Sequence, residues 1–264
     1  MDAYINTGIK IARRVANMML RAANDLSSIR VENKAFNDFV SEVDKIAEEI
    51  IVEGLLEAFP THRIRAEETG YHGNNEAEFE WIIDPLDGTT NYLHHHPQYA
   101  ISMALLHRGS LLDAIIFAPE RNDLYIASKG KGAFLNDKRI RVSKRTQMNE
   151  CLIGTGFPVV DQSMMTTYLT ILQDILARTA GVRREGAACL DLCNVALGRF
   201  DGYFEFNLKP WDIAAGALIV TEAGGLVTDM QGEGTWLDTG NIVAGNPKVL
   251  SQLLQVIDPH LKSI

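Results

Sequence analysis

The stretch Trp-Ile-Ile-Asp-Pro-Leu-Asp-Gly-Thr-Thr-Asn, residues 81–91, is the most informative part of the chain. Its apolar beginning predicts an interior β-strand that runs directly into an acid. Asp84 and Asp87 then flank a tight turn, in which Pro85 fixes φ and removes a backbone donor. The carbonyl of Leu86 is expected to point the same way as the two carboxylates. Such oxygen ligands suit a hard cation such as Mg²⁺.

The end of the same stretch has the composition of an anion site. Gly88, Thr89 and Thr90 stand at a predicted helix start, where backbone N–H groups and hydroxyls suit a phosphate. The segment is therefore a candidate for binding both a metal and the anion that the metal neutralises.

Two other segments contribute acids at similar positions. The pair Glu67-Glu68 ends a predicted strand, and Asp212 opens a predicted apolar helix. Taken alone, the pair is typical of a solvated loop, Asp212 of a helix N-cap, and Asp84 and Asp87 of a water-facing turn. Unpaired carboxylates at the end of an interior strand would be costly, so a cation is their natural partner.

Composition places the chain among soluble globular proteins. It has 264 residues, of which 46% are hydrophobic, enough for one large core or two packed halves. The formal charge of −9 disfavours general nucleic-acid binding, although a local basic patch is compatible with it. An odd count of three cysteines indicates no disulfide framework, and no secretory or membrane-spanning segment is apparent. We therefore expect a cytoplasmic protein without a membrane partner.

Hydrophobic periodicity predicts the order of the elements. Helices are expected over 3–24 and 41–59, the second with Ser41 as its N-cap, and the polar segment 27–38 is expected to be a loop. Short apolar runs follow from Arg63 to about Val142 and are typical of strands, and helices alternate with strands after that. No linker or repeat appears. Mixed strands and helices predict an α/β (α+β) fold of layered sheets with helices between and outside them.

These motifs resemble those of the inositol monophosphatase family. The signature W-x-x-D-P-[IL]-D-G-T-x-N matches residues 81–91 in full, and W-D-x-A-[AG]-[GA] followed by E-A-G-G matches 211–216 and 222–225. The upstream acids match Glu67-Glu68, and the bacterial form of a mobile-loop motif matches residues 34–44. Thr69 stands where many relatives have serine, a departure expected to have little effect.

The resemblance implies a fold and a set of roles. The fold would be the α-β-α-β-α sandwich of the sugar phosphatases, one unit over 1–264 whose halves, 1–150 and 151–264, share the active site. The implied ligands for two or three Mg²⁺ ions are Glu67, Asp84, the Leu86 carbonyl, Asp87 and Asp212, and the implied water-positioning residues are Thr89, Glu67 and Asp44. The implied phosphate or substrate contacts are Asp87, Gly88, Thr89, Ala188 and Glu205. Lys34 would lie on the mobile loop.

The resemblance also implies an activity and its alternatives. The expected reaction is Mg²⁺-dependent hydrolysis of myo-inositol 1-phosphate, with lithium inhibition and a homodimer, as in the family. The alternatives are a phosphatase for fructose 1,6-bisphosphate, histidinol phosphate or a nucleotide. A further alternative is a bacterial regulatory protein that binds the transcription machinery and retains phosphatase activity, as suggested for the extragenic-suppressor branch. Glu205 mildly favours a polyol substrate, because an acid accepts hydroxyl bonds and repels a second phosphate.

Three other features are assigned structural roles. The run of histidines at 94–96 is expected to be a polar surface turn, because consecutive residues on regular structure cannot all face one ion. Cys189 and Cys193 are expected to be buried structural thiols. Cys151 has no evident histidine partner in the sequence and is not a candidate nucleophile.

Overall fold

The computed structural model describes residues 3–28, 31–35, 38–158 and 162–261, and the side chains of residues 26–40 and 162 are outside that description. The helices are α1 (Ala3–Ala22), α2 (Glu42–Ala58), α3 (Thr89–Leu93), α4 (Met165–Leu176), α5 (Ala188–Ala196), α6 (Pro210–Glu222), α7 (Trp236–Thr239) and α8 (Pro247–Leu261). The strands are β1 (Val31–Ala35), β2 (Asp38–Ser41), β3 (Arg63–Ala66), β4 (Gly70–Gly73), β5 (Phe79–Asp87), β6 (Ala100–His107), β7 (Ser110–Ala118), β8 (Asp123–Ser128), β9 (Gly132–Leu135), β10 (Lys138–Arg139), β11 (Leu152–Thr155), β12 (Gly181–Arg183), β13 (Gly202–Glu205), β14 (Leu226–Thr228) and β15 (Ile242–Gly245).

Two sheets form the framework. The larger has eight strands in the order β10-β9-β8-β7-β6-β5-β3-β4, and the smaller has five in the order β12-β11-β13-β15-β14. Strands β3 and β5 run parallel, whereas the other neighbours in the large sheet are antiparallel. Because β3 and β5 are parallel, their carboxyl ends meet at the same edge of the sheet.

Helices fill the space between and outside the sheets. Helices α1 and α2 bury apolar residues such as Val15 and Ile51 against one face of the large sheet. Helices α5 and α6 lie between the two sheets, where Leu192 and Ile219 share a core with residues of both. Helices α4 and α8 cover the outer face of the small sheet through residues such as Ile171. The predicted α-β-α-β-α sandwich is therefore confirmed.

The helix that carries Asp44 forms for local reasons that were predicted. Ser41 is the N-cap of α2: its hydroxyl accepts from the backbone N–H of Val43, and the Asp44 carboxylate accepts from the backbone N–H of Ser41. This is a capping box with aspartate in place of the longer glutamate. Buried residues at helical spacing, including Ala47 and Ile51, then fix which face meets the sheet.

Some elements differ from the sequence-based predictions. The segment predicted as a loop at 27–38 contains strand β1 and the first residue of β2, which pairs with β1. Strand β4 and helix α7 were not predicted at all. These are short, polar or glycine-containing elements, so neither hydrophobic period is visible in them. Helix α6 begins at Pro210, with Lys209 as its N-cap. The N-cap alternative for Asp212 is therefore wrong, because Asp212 stands at the third helical position.

Within the described ranges, none of the helices combines the length and the apolar character needed to cross a bilayer.

Candidate active site

A β-bulge at the end of β5 orients the two aspartates of the central motif. Asp84 pairs with Ser102 and Asp87 pairs with Ala100, so β5 contains one residue more than β6 between these two pairs. In a regular strand, residues three apart point to opposite faces, and the extra residue of a bulge removes that opposition. Asp84 also accepts a hydrogen bond of 2.9 Å from the backbone N–H of Leu86, which tightens the turn.

The parallel neighbour β3 supplies the third acid. Ala66, its last residue, pairs with Ile83, so Glu67 follows the end of β3 at the level of Asp84 in β5. The Glu67 side chain is hydrogen-bonded to Asp84. Topology therefore brings together two acids from separate predicted strands.

The fourth acid comes from α6 in the second half of the chain. Asp212 lies in the first turn of that helix, and its Oδ2 accepts a 2.7 Å hydrogen bond from the backbone N–H of Lys209. The preceding residue is tied to the large sheet, because the hydroxyl of Ser102 donates to the Trp211 carbonyl at 3.2 Å. Ser102 is also the pairing partner of Asp84, so the same strand position holds both acids in place.

Electrostatics shows that these acids share one site. Burial, and then the negative charges of Glu67, Asp87 and Asp212, raise the pKa of Asp84 well above its usual value of 3.8. Burial and the charges of Asp87 and Glu67 do the same to the pKa of Asp212. Burial raises the pKa of Asp87 to about 6, against the opposing effect of hydrogen bonds from Cys189. Mutual repulsion in a buried site is relieved by a cation or by protons.

The donor set suits a hard cation, although the side chains do not form a complete coordination sphere. Carboxylate and carbonyl oxygens are the ligands that Mg²⁺ prefers. In the described part of the chain, no group of three or more His, Cys, Asp or Glu side chains is arranged to hold an ion. Protein donors engage some of the carboxylate oxygens: Asp87 Oδ2 accepts from the Cys189 N–H at 2.7 Å, and Asp212 Oδ2 accepts from the Lys209 N–H at 2.7 Å. The residues therefore fit the metal by chemistry and by charge.

Thr89 and Asp44 form a hydrogen-bonded pair beside the acids. The Thr89 hydroxyl lies 2.9 Å from Asp44 Oδ1 and 3.2 Å from the Leu86 carbonyl oxygen. Burial raises the pKa of Asp44, while hydrogen bonds from Ser41 and Thr89 act in the opposite direction. Gly88 is the N-cap of α3 with a left-handed φ of 94°, which brings Thr89 back over the end of β5.

A pocket of about 160 Å³ opens beside Asp87 and Asp212. It is lined by three of the predicted substrate contacts, Asp87, Ala188 and Glu205. Burial raises the pKa of Glu205 to about 7, although the Tyr203 hydroxyl, which donates to its carboxylate, lowers that pKa. The predicted substrate residues of both halves therefore surround one cavity next to the acids.

Several residues at the site were not identified from the sequence. Arg184 and Asp191 line the pocket, and Asp191 is buried on α5. Glu48 is buried on α2, and its carboxylate accepts hydrogen bonds from the turn that follows Glu67. A signal for Glu48 exists in the sequence, since it stands four residues after Asp44 on a predicted helix. Lys34 has its backbone in β1, but its side chain is outside the described residues, and its role stays a prediction.

The features assigned structural roles behave as expected. His94, His95 and His96 are exposed, at and just after the end of α3. Cys151, Cys189 and Cys193 are free thiols and are buried.

Comparisons with known proteins agree with this architecture. The model of the inositol monophosphatase family matches residues 1–261. A protein of Neisseria meningitidis named "Putative Nus factor SuhB" is 67% identical over 261 residues, which cover 99% of this chain and 100% of the relative. The solved extragenic suppressor protein SuhB of Bartonella henselae is 39% identical with a TM-score of 0.94, and the alignment covers 97% of this chain and 98% of that one.

A third relative carries an enzyme name. The structure of an IMPase from Thermotoga maritima has a TM-score of 0.89 and 32% identity, and the alignment covers 99% of each chain. These similarities extend over nearly the whole length and include the elements that carry the acids. The chain therefore belongs to the inositol monophosphatase family.

Proposed function

We propose that the chain is a Mg²⁺-dependent phosphomonoesterase whose metal ligands are Glu67, Asp84, the Leu86 carbonyl, Asp87 and Asp212. The observation that carries this proposal is the convergence of four acids from the end of β3, from β5 and from α6, where the charges of the neighbouring acids raise the pKa values of Asp84 and Asp212. When bound, two or three Mg²⁺ ions supply Lewis-acid polarisation of the ester and lower the pKa of an attacking water.

The residues beside the acids would orient the nucleophile. The Thr89 hydroxyl donates to Asp44, so its oxygen lone pairs remain available to accept a hydrogen bond from a water. In-line attack by that water forms the new P–O bond and breaks the ester P–O bond. The proton lost by the water passes through the Thr89 hydroxyl toward Asp44, and the departing alcohol oxygen takes up a proton from solvent water. The backbone N–H groups of Gly88 and Thr89, at the start of α3, are the proposed phosphate contacts.

The pocket supports a small polyol as the alcohol. The pocket has a volume of about 160 Å³. Its lining holds four acids, Asp87, Asp191, Glu205 and Asp212, against one cation, Arg184, and this balance favours a compact group with several hydroxyls. Myo-inositol 1-phosphate is the proposed substrate. Fructose 1,6-bisphosphate, histidinol phosphate and nucleotide phosphates are the alternatives, and an acidic pocket disfavours those with a second phosphate.

A phosphate-release assay tests the activity and the substrate together. With Mg²⁺ we expect hydrolysis of inositol 1-phosphate to exceed that of fructose 1,6-bisphosphate and of a nucleotide. Excess chelator should lower the rate by about 10³-fold or more, because the metal's contribution is several kcal/mol. Adding Mg²⁺ back is the control for chelator damage. Full activity in chelator would rule out the metal mechanism.

A second role in transcription is supported by the relatives. The N. meningitidis protein, 67% identical over its whole length, is named "Putative Nus factor SuhB". We propose that this chain also binds the transcription machinery. Affinity capture from bacterial lysate is expected to enrich RNA polymerase core subunits with wild type and with Asp84→Asn alike, because docking does not need turnover. Equal recovery of the subunits on an unrelated protein of similar charge would contradict this proposal.

Pairing into a homodimer is the third proposal. Exposed apolar side chains support it: Phe157 is 41% exposed, and Leu169 and Leu176 on α4 are 53% and 51% exposed. The two leucines are seven residues apart and so lie on one face of the helix.

Lithium inhibition also stays a proposal, carried over from the family.

A further inference from the structure

Glu48 makes a set of contacts that the proposed mechanism does not use. Its side chain is buried, with 1% of the residue exposed, although it is an acid in the middle of a helix. Its Oε2 accepts from the backbone N–H of Glu68 at 2.8 Å, and its Oε1 accepts from the backbone N–H of Thr69 at 2.8 Å. The Thr69 hydroxyl donates to the same Oε1 at 2.6 Å. All three donors belong to the turn that directly follows Glu67.

The geometry of these bonds restrains the turn rather than merely satisfying a buried charge. Two adjacent backbone N–H groups bind the two oxygens of one carboxylate, which fixes the orientation of the peptide unit after Glu67. Thr69 is itself held, because His72 Nε2 lies 2.5 Å from its hydroxyl oxygen. A serine at position 69 would keep this hydroxyl, which is why the difference from many relatives is expected to be tolerated.

The same helix also holds the other side of the site. Asp44, one helical turn before Glu48, accepts from the Thr89 hydroxyl at 2.9 Å. Residues four apart on a helix lie on one face at a fixed separation. Helix α2 therefore contacts both the turn after β3, which carries Glu67, and the start of α3, which carries Thr89.

We propose that Glu48 is a positioning residue that sets the place of Glu67 relative to the acids of β5, and thereby the affinity of the site for Mg²⁺. The inference rests on the proposed function, since it assumes that Glu67 is a metal ligand. Partners behind metal ligands commonly change affinity by about 10- to 100-fold when removed. Glu48 does not touch the substrate or the metal in this scheme, so its effect should fall on metal binding more than on the saturated rate.

Two variants of Glu48 separate the effect of the position of its carboxylate from the effect of its charge. Glu48→Gln keeps the shape of the side chain but replaces one acceptor oxygen by an NH₂ group that faces a backbone donor. Glu48→Asp keeps the charge but is one methylene too short to reach both N–H groups. Glu49→Gln is the matched control, because Glu49 is the exposed neighbour on the same helix and loses the same charge.

The first measurement is calorimetric titration of Mg²⁺ into each folded, metal-free variant without substrate. We expect the affinity to fall about 10-fold in Glu48→Gln and in Glu48→Asp, and to stay unchanged in Glu49→Gln. At saturating Mg²⁺, kcat of the two Glu48 variants should stay within about 3-fold of wild type. An unchanged Mg²⁺ affinity in both Glu48 variants would overturn the inference.

The second measurement is amide hydrogen exchange of residues 66–70, which needs no metal. The amides of Glu68 and Thr69 should exchange faster in both Glu48 variants, because their acceptors are lost or displaced. Unchanged exchange would overturn the inference even if Mg²⁺ affinity fell. Wild type that binds no Mg²⁺ but shows protected amides would instead overturn the proposed function, and with it the role of Glu48 in metal binding.

Discussion

Asp84→Asn should abolish turnover while making the metal-free protein more stable. Asp84 is 2% exposed and is repelled by Glu67, Asp87 and Asp212. Replacing the carboxylate by an amide removes a proposed ligand of the metal, so we expect phosphate release to fall by about 10³-fold or more. Asp212→Asn is expected to have a similar effect on activity, because it removes a second acid from the same site.

The stability effect has a definite sign. The pKa of Asp84 is raised in the folded protein, so the folded state binds the proton more tightly than the unfolded state does. Its contribution to stability is therefore fully present below the unfolded value of 3.8 and is lost as the pH rises through the folded pKa. In chelator at neutral or higher pH, the Tm of Asp84→Asn should exceed that of wild type, and the difference should shrink on acidification.

Added Mg²⁺ should reverse that order, because it stabilises the protein that binds it. Thermal scans of both proteins with and without Mg²⁺, beside phosphate-release assays, provide the measurement. Asp113→Asn is the control, since Asp113 is another buried aspartate of the large sheet, hydrogen-bonded to Ser128 outside the site. Near-wild-type turnover in Asp84→Asn would defeat the metal proposal.

Gly88→Ala should damage both the fold and the reaction. Gly88 has a φ of 94°, and a Cβ there would lie 2.8 Å from the Gln98 carbonyl oxygen and 3.3 Å from the Cβ of Ala187. The left-handed backbone alone costs about 1–2 kcal/mol, and crowding against the backbone adds to it. We expect a total loss of roughly 2–3 kcal/mol of unfolding free energy. A shift of about 1 Å in Thr89 or Asp87 would also lower kcat by about 10²-fold.

Gly109→Ala isolates the contribution of crowding. Gly109 has a similar φ of 76°, but a Cβ there would meet nothing within 4 Å. It should therefore lose only the conformational cost, about 1–2 kcal/mol, and should keep full activity. Denaturant unfolding and steady-state assays of both variants give the comparison. Equal losses in the two proteins would show that packing around Gly88 is unimportant.

The central motif could be interpreted from sequence because its determinants are local. A buried run before Asp84, Pro85 between the acids and Gly88-Thr89 after them predict a strand, a tight turn and a helix start without reference to other segments. The capping box of Ser41 and Asp44 was predictable for the same reason. Family resemblance then connected these pieces with Glu67 and Asp212, whose local context alone indicated an ordinary loop and an ordinary helix start.

Other parts of the site depend on contacts between distant segments. The backbone N–H of Cys189 reaches Asp87, and the Asn91 side chain donates to the carbonyl of Glu185, each across more than ninety residues of sequence. The pocket beside Asp87 exists because α5, β13 and α6 meet there. Glu48 illustrates the same limit, since nothing near it in sequence shows that its carboxylate holds the turn after Glu67.

Periodicity and turn chemistry, which act over a few residues, were enough to establish a layered α/β chain with acids at the ends of strands. The shared location of those acids follows instead from the parallel pairing of β3 with β5, the extra residue in β5 and the docking of α6 against β6. Each of these is a long-range contact, and its free energy depends on surfaces that exist only after the sheets and helices have packed.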